Sequence, residues 1–341
     1  MILFRADGNK EIGTGHVMRC LSIADALKNL GETSEFVSAD ANMKALITER
    51  GYVCNILHTD FSDMDKEIDA LLRQETFKTA KMIIVDSYYA SDDYLYNLSA
   101  HKKTAYINDY LTVRPVDVNI NYNVFADSDK ISNREEGIKS VEIMGPKYAP
   151  LRQEFQDLNA IDIKEDARNI LFLAGGSDPL HVALNFANEL MNQSDDNHYN
   201  IVVGSLSEDL DAIKDIADRS EGRIEVKHNV SDMKSLMASS DLAVSAAGST
   251  LYELCACGVP TINYILADNQ RLVSESFRDK EVMLSAGDVR NNPFFYNNLY
   301  SMITDLSKDE KKRRELSKKA HNLIDGNGAR RIAVELEEII K

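Results

Sequence analysis

The chain has 341 residues, 44% apolar and 28% charged, a globular balance and enough length for two domains of ordinary size. Its 55 acidic against 39 basic residues leave a net charge of −16, which repels polyanions and argues against nucleic acid or an anionic membrane as partner. A small phosphorylated ligand is not excluded, because backbone amides at a helix N-terminus bind phosphate without any lysine.

Met1 leads into an apolar run with no basic or cleavable leader, and no stretch approaches the roughly 20 apolar residues that span a bilayer. A cytoplasmic protein without an integral membrane segment, monomeric or weakly dimeric, is expected. Cys20, Cys54, Cys255 and Cys257 form no C-x-x-C pair and read as buried thiols, so neither a metal nor a cofactor is expected.

Along the chain, strands are predicted at Met1–Phe4, Thr33–Ser38, Met82–Asp86, Thr104–Ile107 and Val116–Asn119, and again at Asn169–Ala174, Asn200–Gly204, Arg223–Val226, Leu242–Ser245 and Pro260–Tyr264. Helical spacing fills the intervals, as in His16–Leu30, Asp63–Gln74, His181–Met191, Leu206–Ala217 and Val230–Ser239. This alternation predicts an α/β protein of βαβ units, with two Rossmann-like, doubly wound parallel sheets. The pattern resets midway: Met1–Phe4 and Asn169–Leu173 each run into a glycine-bearing loop and then a helix. Domains of 1–160 and 161–341 are therefore expected, joined by the polar stretch Gln156–Arg168, with the last helix, Ala329–Ile340, free to pack back toward the first.

Four loops carry candidate chemistry. Gly13-Thr14-Gly15-His16 precedes a helix that also holds Arg19; glycines there allow close approach of a ligand. The third glycine of G-x-G-x-x-G is missing, which disfavours a dinucleotide. At the positive end of a helix, His16 is favoured as neutral imidazole, able to accept a proton; a histidine that caps or fills a gap is the plainer alternative. Gly175-Gly176-Ser177-Asp178-Pro179 reads as a phosphate-facing turn, or simply as a tight turn with Ser177 or Asp178 as N-cap and Pro179 opening the helix. Gly248-Ser249-Thr250 after a strand is a place for a diphosphate. Glu253, one turn on, suits a ribose; equally, Thr250-x-x-Glu253 reads as a capping box. Asp86, Tyr88 and Asn108-Asp109, and in the second half Asn269-Gln270, fall at strand C-terminal ends, where open α/β sheets bind ligands.

Arg5-Ala6-Asp7, Gly13-x-Gly15-His16-x-x-Arg19, Asp86-x-Tyr88, Tyr148-Ala149-x-Leu151-Arg152-x-Glu154-Phe155, Gly175-Gly176-Ser177-Asp178, Gly248-Ser249-x-x-x-Glu253 and Asn269-Gln270 together resemble the GT-B superfamily. Within it they are similar to the UDP-sugar hydrolases of pseudaminic acid biosynthesis, the PseG family. The glycine loops are shared with MurG-like glycosyltransferases, and spore-coat proteins of the SpsG type share the same motifs. The resemblance implies two domains facing across a cleft. It implies UDP on the C-terminal half, with Gly248, Ser249 and Thr250 at the diphosphate, Glu253 at ribose, and Gly175, Gly176 and Ser177 nearby. His16 is then the base that activates water, Tyr88 and Asn269 line the sugar, and Asp7, Gly13, Gly15, Arg19, Asp86 and Gln270 complete the binding set. The implied substrate is UDP-2,4-diacetamido-2,4,6-trideoxy-β-L-altropyranose, cleaved without a metal.

Overall fold

The computed structural model describes residues 1–126, 140–204 and 206–341. They form two compact units, one of Met1–Gln153 with Gly326–Lys341, the other of Glu154–Asp325.

In the first unit, β1 (Ile2–Ala6), β2 (Ser34–Ser38), β3 (Val53–Ile56), β4 (Met82–Asp86), β5 (Lys103–Ile107), β6 (Val118–Asn121) and β7 (Val141–Met144) make one sheet. Its order is β3-β2-β1-β4-β5-β6-β7, and every pairing is parallel. The helices of this stretch are α1 (Gly15–Asn29), α2 (Lys44–Glu49), α3 (Ile68–Arg73), α4 (Glu75–Thr79) and α5 (Asp92–His101). β1 and β4 are buried at every residue, because a parallel strand covered by helices on both faces has no solvent side.

The second unit repeats the plan. Strands β8 (Asn169–Leu173), β9 (His198–Val203), β10 (Ile224–His228), β11 (Leu242–Ala246), β12 (Thr261–Ile265) and β13 (Leu284–Asp288) pair in parallel in the order β10-β9-β8-β11-β12-β13. Helices α6 (Val182–Met191), α7 (Leu210–Asp218), α8 (Met233–Ala238), α9 (Thr250–Cys257), α10 (Arg271–Asp279), α11 (Phe295–Lys308) and α12 (Glu310–Leu323) accompany them. Phe172 on β8 stacks on Phe186 of α6 with ring centroids 4.4 Å apart, tying that helix to the sheet. In both sheets the first strand lies between the second and the fourth, so the order in which strands are added reverses beside β1 and beside β8. Crevices for ligands open at such points, beyond the strand C-termini.

The last helix, α13 (Gly328–Ile340), belongs to the first unit and packs along α1. At its start Gly328 lies against the Tyr148–Ala149 backbone. A Cβ there would run into the backbone of Ala149, so only glycine lets the two segments meet. Arg331 donates to the Lys147 carbonyl at 2.8 Å and Tyr148 to Glu335 at 3.1 Å, completing the attachment. Among the described residues no helix is long and apolar enough to cross a membrane.

Candidate functional site

In the first unit the loop after β1 turns back at Gly13, whose φ of +72° is open to glycine at little cost. Backbone bonds between Asn9 and Gly13 close the loop, and α1 then starts at Gly15. His16 therefore stands in the first turn and Arg19 three residues on, along the same face. Both reach Asp86, the last residue of β4. His16 Nδ1 lies 2.6 Å from Asp86 Oδ1, while Arg19 Nε and Nη2 donate to Oδ2 and Oδ1 at 2.6 and 2.5 Å. Arg19 also grips Asp109, through Nη1 to Oδ1 at 2.9 Å and Nη2 to Oδ2 at 2.8 Å, and donates from Nη1 to the Tyr122 hydroxyl at 2.8 Å.

His16 is 4% exposed and Asp86 fully buried, so these bonds form in a low-dielectric setting where charge-assisted contacts are strong. Burial pushes the Asp86 carboxyl up, but Arg19 and His16 outweigh it and hold it well below the usual carboxylate range. Burial also lifts the Tyr122 hydroxyl to about 12, against the pull of Arg19. His16 Nε2 has no hydrogen-bond partner among the described residues. Tyr88, partly exposed, meets the imidazole edge-on with centroids 4.5 Å apart, and Tyr110 lies 6.4 Å beyond. Burial raises the Tyr88 hydroxyl, with Asp109 adding to the shift.

Asp7 stands apart from this cluster. It is buried, paired with Arg5, and accepts the Ala39 amide at 2.8 Å; Arg5 in turn is clamped by Glu67 at 2.6 and 2.7 Å. Its carboxylate fastens the end of β1 to the chain after β2. Tyr122 and Asn123, which donates to Asp109 at 3.1 Å, escaped the sequence reading because the predicted strand stopped at Asn119. β6 runs to Asn121, and Tyr122 follows at its C-terminal end, the same signal that marks Asp86 and Asp109.

In the second unit the loop after β8 turns at Gly175, with φ +92°, and the carbonyls of Gly175 and Gly176 lie against Gly204. Ser177 is half-buried. The N-cap is His181, not Ser177 or Asp178 as expected, but the Asp178 carboxylate three residues ahead accepts the amides of Val182 and Ala183 at 2.9 Å. The helix consequently opens at Val182, and Pro179 lies in the turn ahead of it, not at the first helical position expected.

After β11, Ser249 is the N-cap of α9 but its side chain makes no cap bond. The amides of Ser249 and Thr250 donate to no group among the described residues. Thr250 is already helical and Ser249 is the N-cap, so the Thr250-x-x-Glu253 box is out of register by one residue. Asn269 is exposed, and Gln270 accepts the Leu266 amide at 2.8 Å, shaping the turn after β12.

Gly15, Gly176 and Gly248 share a property. None has a positive φ, and a Cβ on any of them would meet nothing within 4 Å. The fold therefore demands glycine at none of the three, yet all stand beside a switch point.

Residues 170–336 match the family model of the glycosyltransferase family 28 C-terminal domain. MurG of Acinetobacter baumannii superposes with a TM-score of 0.69 at 13% identity, covering 99% of both chains. The fold is α/β, two parallel-sheet Rossmann-like units, as in MurG. Among sequence relatives, the spore coat polysaccharide biosynthesis protein SpsG of Bacillus subtilis is 24% identical over 98% of this chain and 97% of its own. The UDP-2,4-diacetamido-2,4,6-trideoxy-β-L-altropyranose hydrolase of Campylobacter jejuni is 26% identical over 55% of this chain and 65% of that one. A protein of Methanocaldococcus jannaschii is 27% identical over 80% of this chain, which spans 57% of that protein.

Proposed function

We propose that the protein is an enzyme that binds a UDP-sugar and breaks the bond between the anomeric carbon and the diphosphate oxygen, with water as acceptor. The observation that carries this reading is the His16–Asp86 pair, 2.6 Å apart and buried, with Nε2 left unpaired beside the switch point of its sheet. In this reading water loses a proton to Nε2 as its oxygen attacks the anomeric carbon. The C1–O electron pair leaves with UDP, and the products are UDP and a free sugar. General base assistance of this kind contributes typically 10²–10⁴-fold.

In the same reading UDP is held by the second unit. The unpaired amides of Ser249 and Thr250 take the diphosphate at the positive end of α9, and Gly248 lets it come close. Glu253 accepts the ribose hydroxyls, Gly175, Gly176 and Ser177 add a second glycine turn, and Tyr88, Asn269 and Gln270 serve the sugar. The hydrolase relative points to a diacetamido-trideoxyhexose as the sugar.

A glycosyltransferase is the second reading, favoured by the match of residues 170–336 to the glycosyltransferase family 28 C-terminal domain. One assay separates the two. Purified protein is incubated with the UDP-diacetamido-trideoxyhexose and no acceptor, and UDP and reducing sugar are both quantified. Equimolar release of the two is expected; UDP release only on addition of a second sugar or lipid would overturn the hydrolase.

A further inference from the structure

A guanidinium carries five N–H groups and no more. Arg19 uses all five: Nε on Asp86, Nη1 on Asp109 and Tyr122, and Nη2 on Asp86 and Asp109. It is 10% exposed, and its plane also lies over the Tyr122 ring, 5.5 Å from the centroid. No donor is left for a substrate. Arg19 was expected among the binding residues, and its surroundings give it a different task.

Asp86 receives four donors in turn. Arg19 Nη2 and His16 Nδ1 lie at Oδ1, and Arg19 Nε and the Cys20 thiol, 3.6 Å away, at Oδ2. A carboxylate so surrounded accepts only, because a carboxyl proton would face a donor on every side. An imidazole nitrogen 2.6 Å from such an oxygen must carry the hydrogen itself; two lone pairs at that distance repel. The same geometry explains why Arg19 Nη2, 3.1 Å from Nδ1, bonds to carboxylates and not to the ring.

Building on the reading of His16 as a base, we propose that Arg19 and Asp109 are positioning residues. Acting through Asp86, they fix the proton of His16 on Nδ1 and leave Nε2 as the bare lone pair. Asp109 is the outer brace. It lies 90 residues from Arg19 in sequence and is itself held by Asn123, so the guanidinium is fixed from both ends. Bidentate geometry is essential to this role, and a lysine ammonium, a single point charge, cannot satisfy two carboxylates in the same way.

The test needs no substrate for its first readout. Protein labelled with ¹⁵N at histidine is examined by NMR at a pH where His16 is neutral, for wild type, Asp109→Asn and Arg19→Lys, with His16→Asn assigning the signal. Wild type is expected to show a pyrrole-like Nδ1 and a pyridine-like Nε2. Asp109→Asn should mix the tautomers while keeping the wild-type circular dichroism, and Arg19→Lys should mix them further. In the UDP-release assay Asp109→Asn should lower kcat about tenfold with KM within twofold. A wild-type His16 protonated on Nε2 overturns the proposal. So does an Asp109→Asn protein with unchanged tautomers, whatever its melting temperature, or one whose loss lies in KM alone. Because the NMR result stands without turnover, a failure to hydrolyse any UDP-sugar would remove the hydrolase reading and leave the tautomer assignment to be judged separately.

Discussion

His16 and the three unconstrained glycines give the sharpest expectations at the scale of single residues. His16→Asn should lower kcat in acceptor-free UDP release by about 10²–10⁴-fold while calorimetric UDP affinity stays within a few-fold. A histidine that only caps α1 would instead cost stability and spare turnover. Gly248→Ala adds a methyl group where nothing lies within 4 Å and the backbone is ordinary. Its melting temperature should hold or rise, since alanine is favoured over glycine by up to about 1 kcal/mol in structured backbone. UDP affinity should fall at least tenfold if the diphosphate is held as proposed, because the methyl group would occupy its approach. A stable Gly248→Ala protein that binds UDP as before would take the diphosphate away from this loop. Gly328→Ala is the control in the opposite sense. Its Cβ collides with the Ala149 backbone, so a loss of about 1–3 kcal/mol in stability is expected, read as a lower thermal midpoint.

Among the elements, the central strands buried on both faces were legible, and of the four edge strands only β10 was. β1, β4, β8 and β11 announce themselves by apolar runs such as Ile2-Leu3-Phe4 or Ile170-Leu171-Phe172-Leu173, because a central parallel strand is covered on both faces and admits polar groups, such as Arg5 and Asp86, only where they are paired. The strands that escaped, β3, β7 and β13, all lie at sheet edges. There one side of each strand is unpaired, four or five residues suffice, and Glu142, Ser285 and Gly287 are admitted. The glycine loops were visible because they follow the central strands. The Arg19 cluster was visible only in part, since Tyr122 depends on a strand end that was misplaced by two residues.

An element junction also supplies a pH expectation. His181, with φ +54° ahead of α6, bonds Asp209 at 2.8 Å, and that hydrogen bond and charge raise its pKa above the ordinary histidine value. Its contribution to stability is thus complete below the unfolded histidine pKa and is lost as pH rises through the higher folded value. An NMR titration should find His181 protonating above free histidine, and Asp209→Asn should return it; an unchanged midpoint would show that Asp209 is not the cause.

For the molecule as a whole, the proposed base, His16, and the proposed diphosphate loop at Gly248 belong to different compact units, so under that proposal binding and turnover should separate on dissection. Residues 154–325, expressed alone, are expected to bind UDP within about tenfold of the intact protein and to release none from a UDP-sugar. Calorimetry showing no UDP bound by a folded 154–325 fragment would place the nucleotide elsewhere. The attachment of α13 has a consequence for the order of events during synthesis. The first unit is not finished until Gly326–Lys341 has been made, whereas everything in the second, through Asp325, has by then been translated. α1, which carries His16 and Arg19, waits for its covering helix while the second unit can already be folded on the ribosome. Any mutation that slows docking of α13 should therefore show itself first as aggregation of nascent chains with an exposed α1, well before it alters the finished protein.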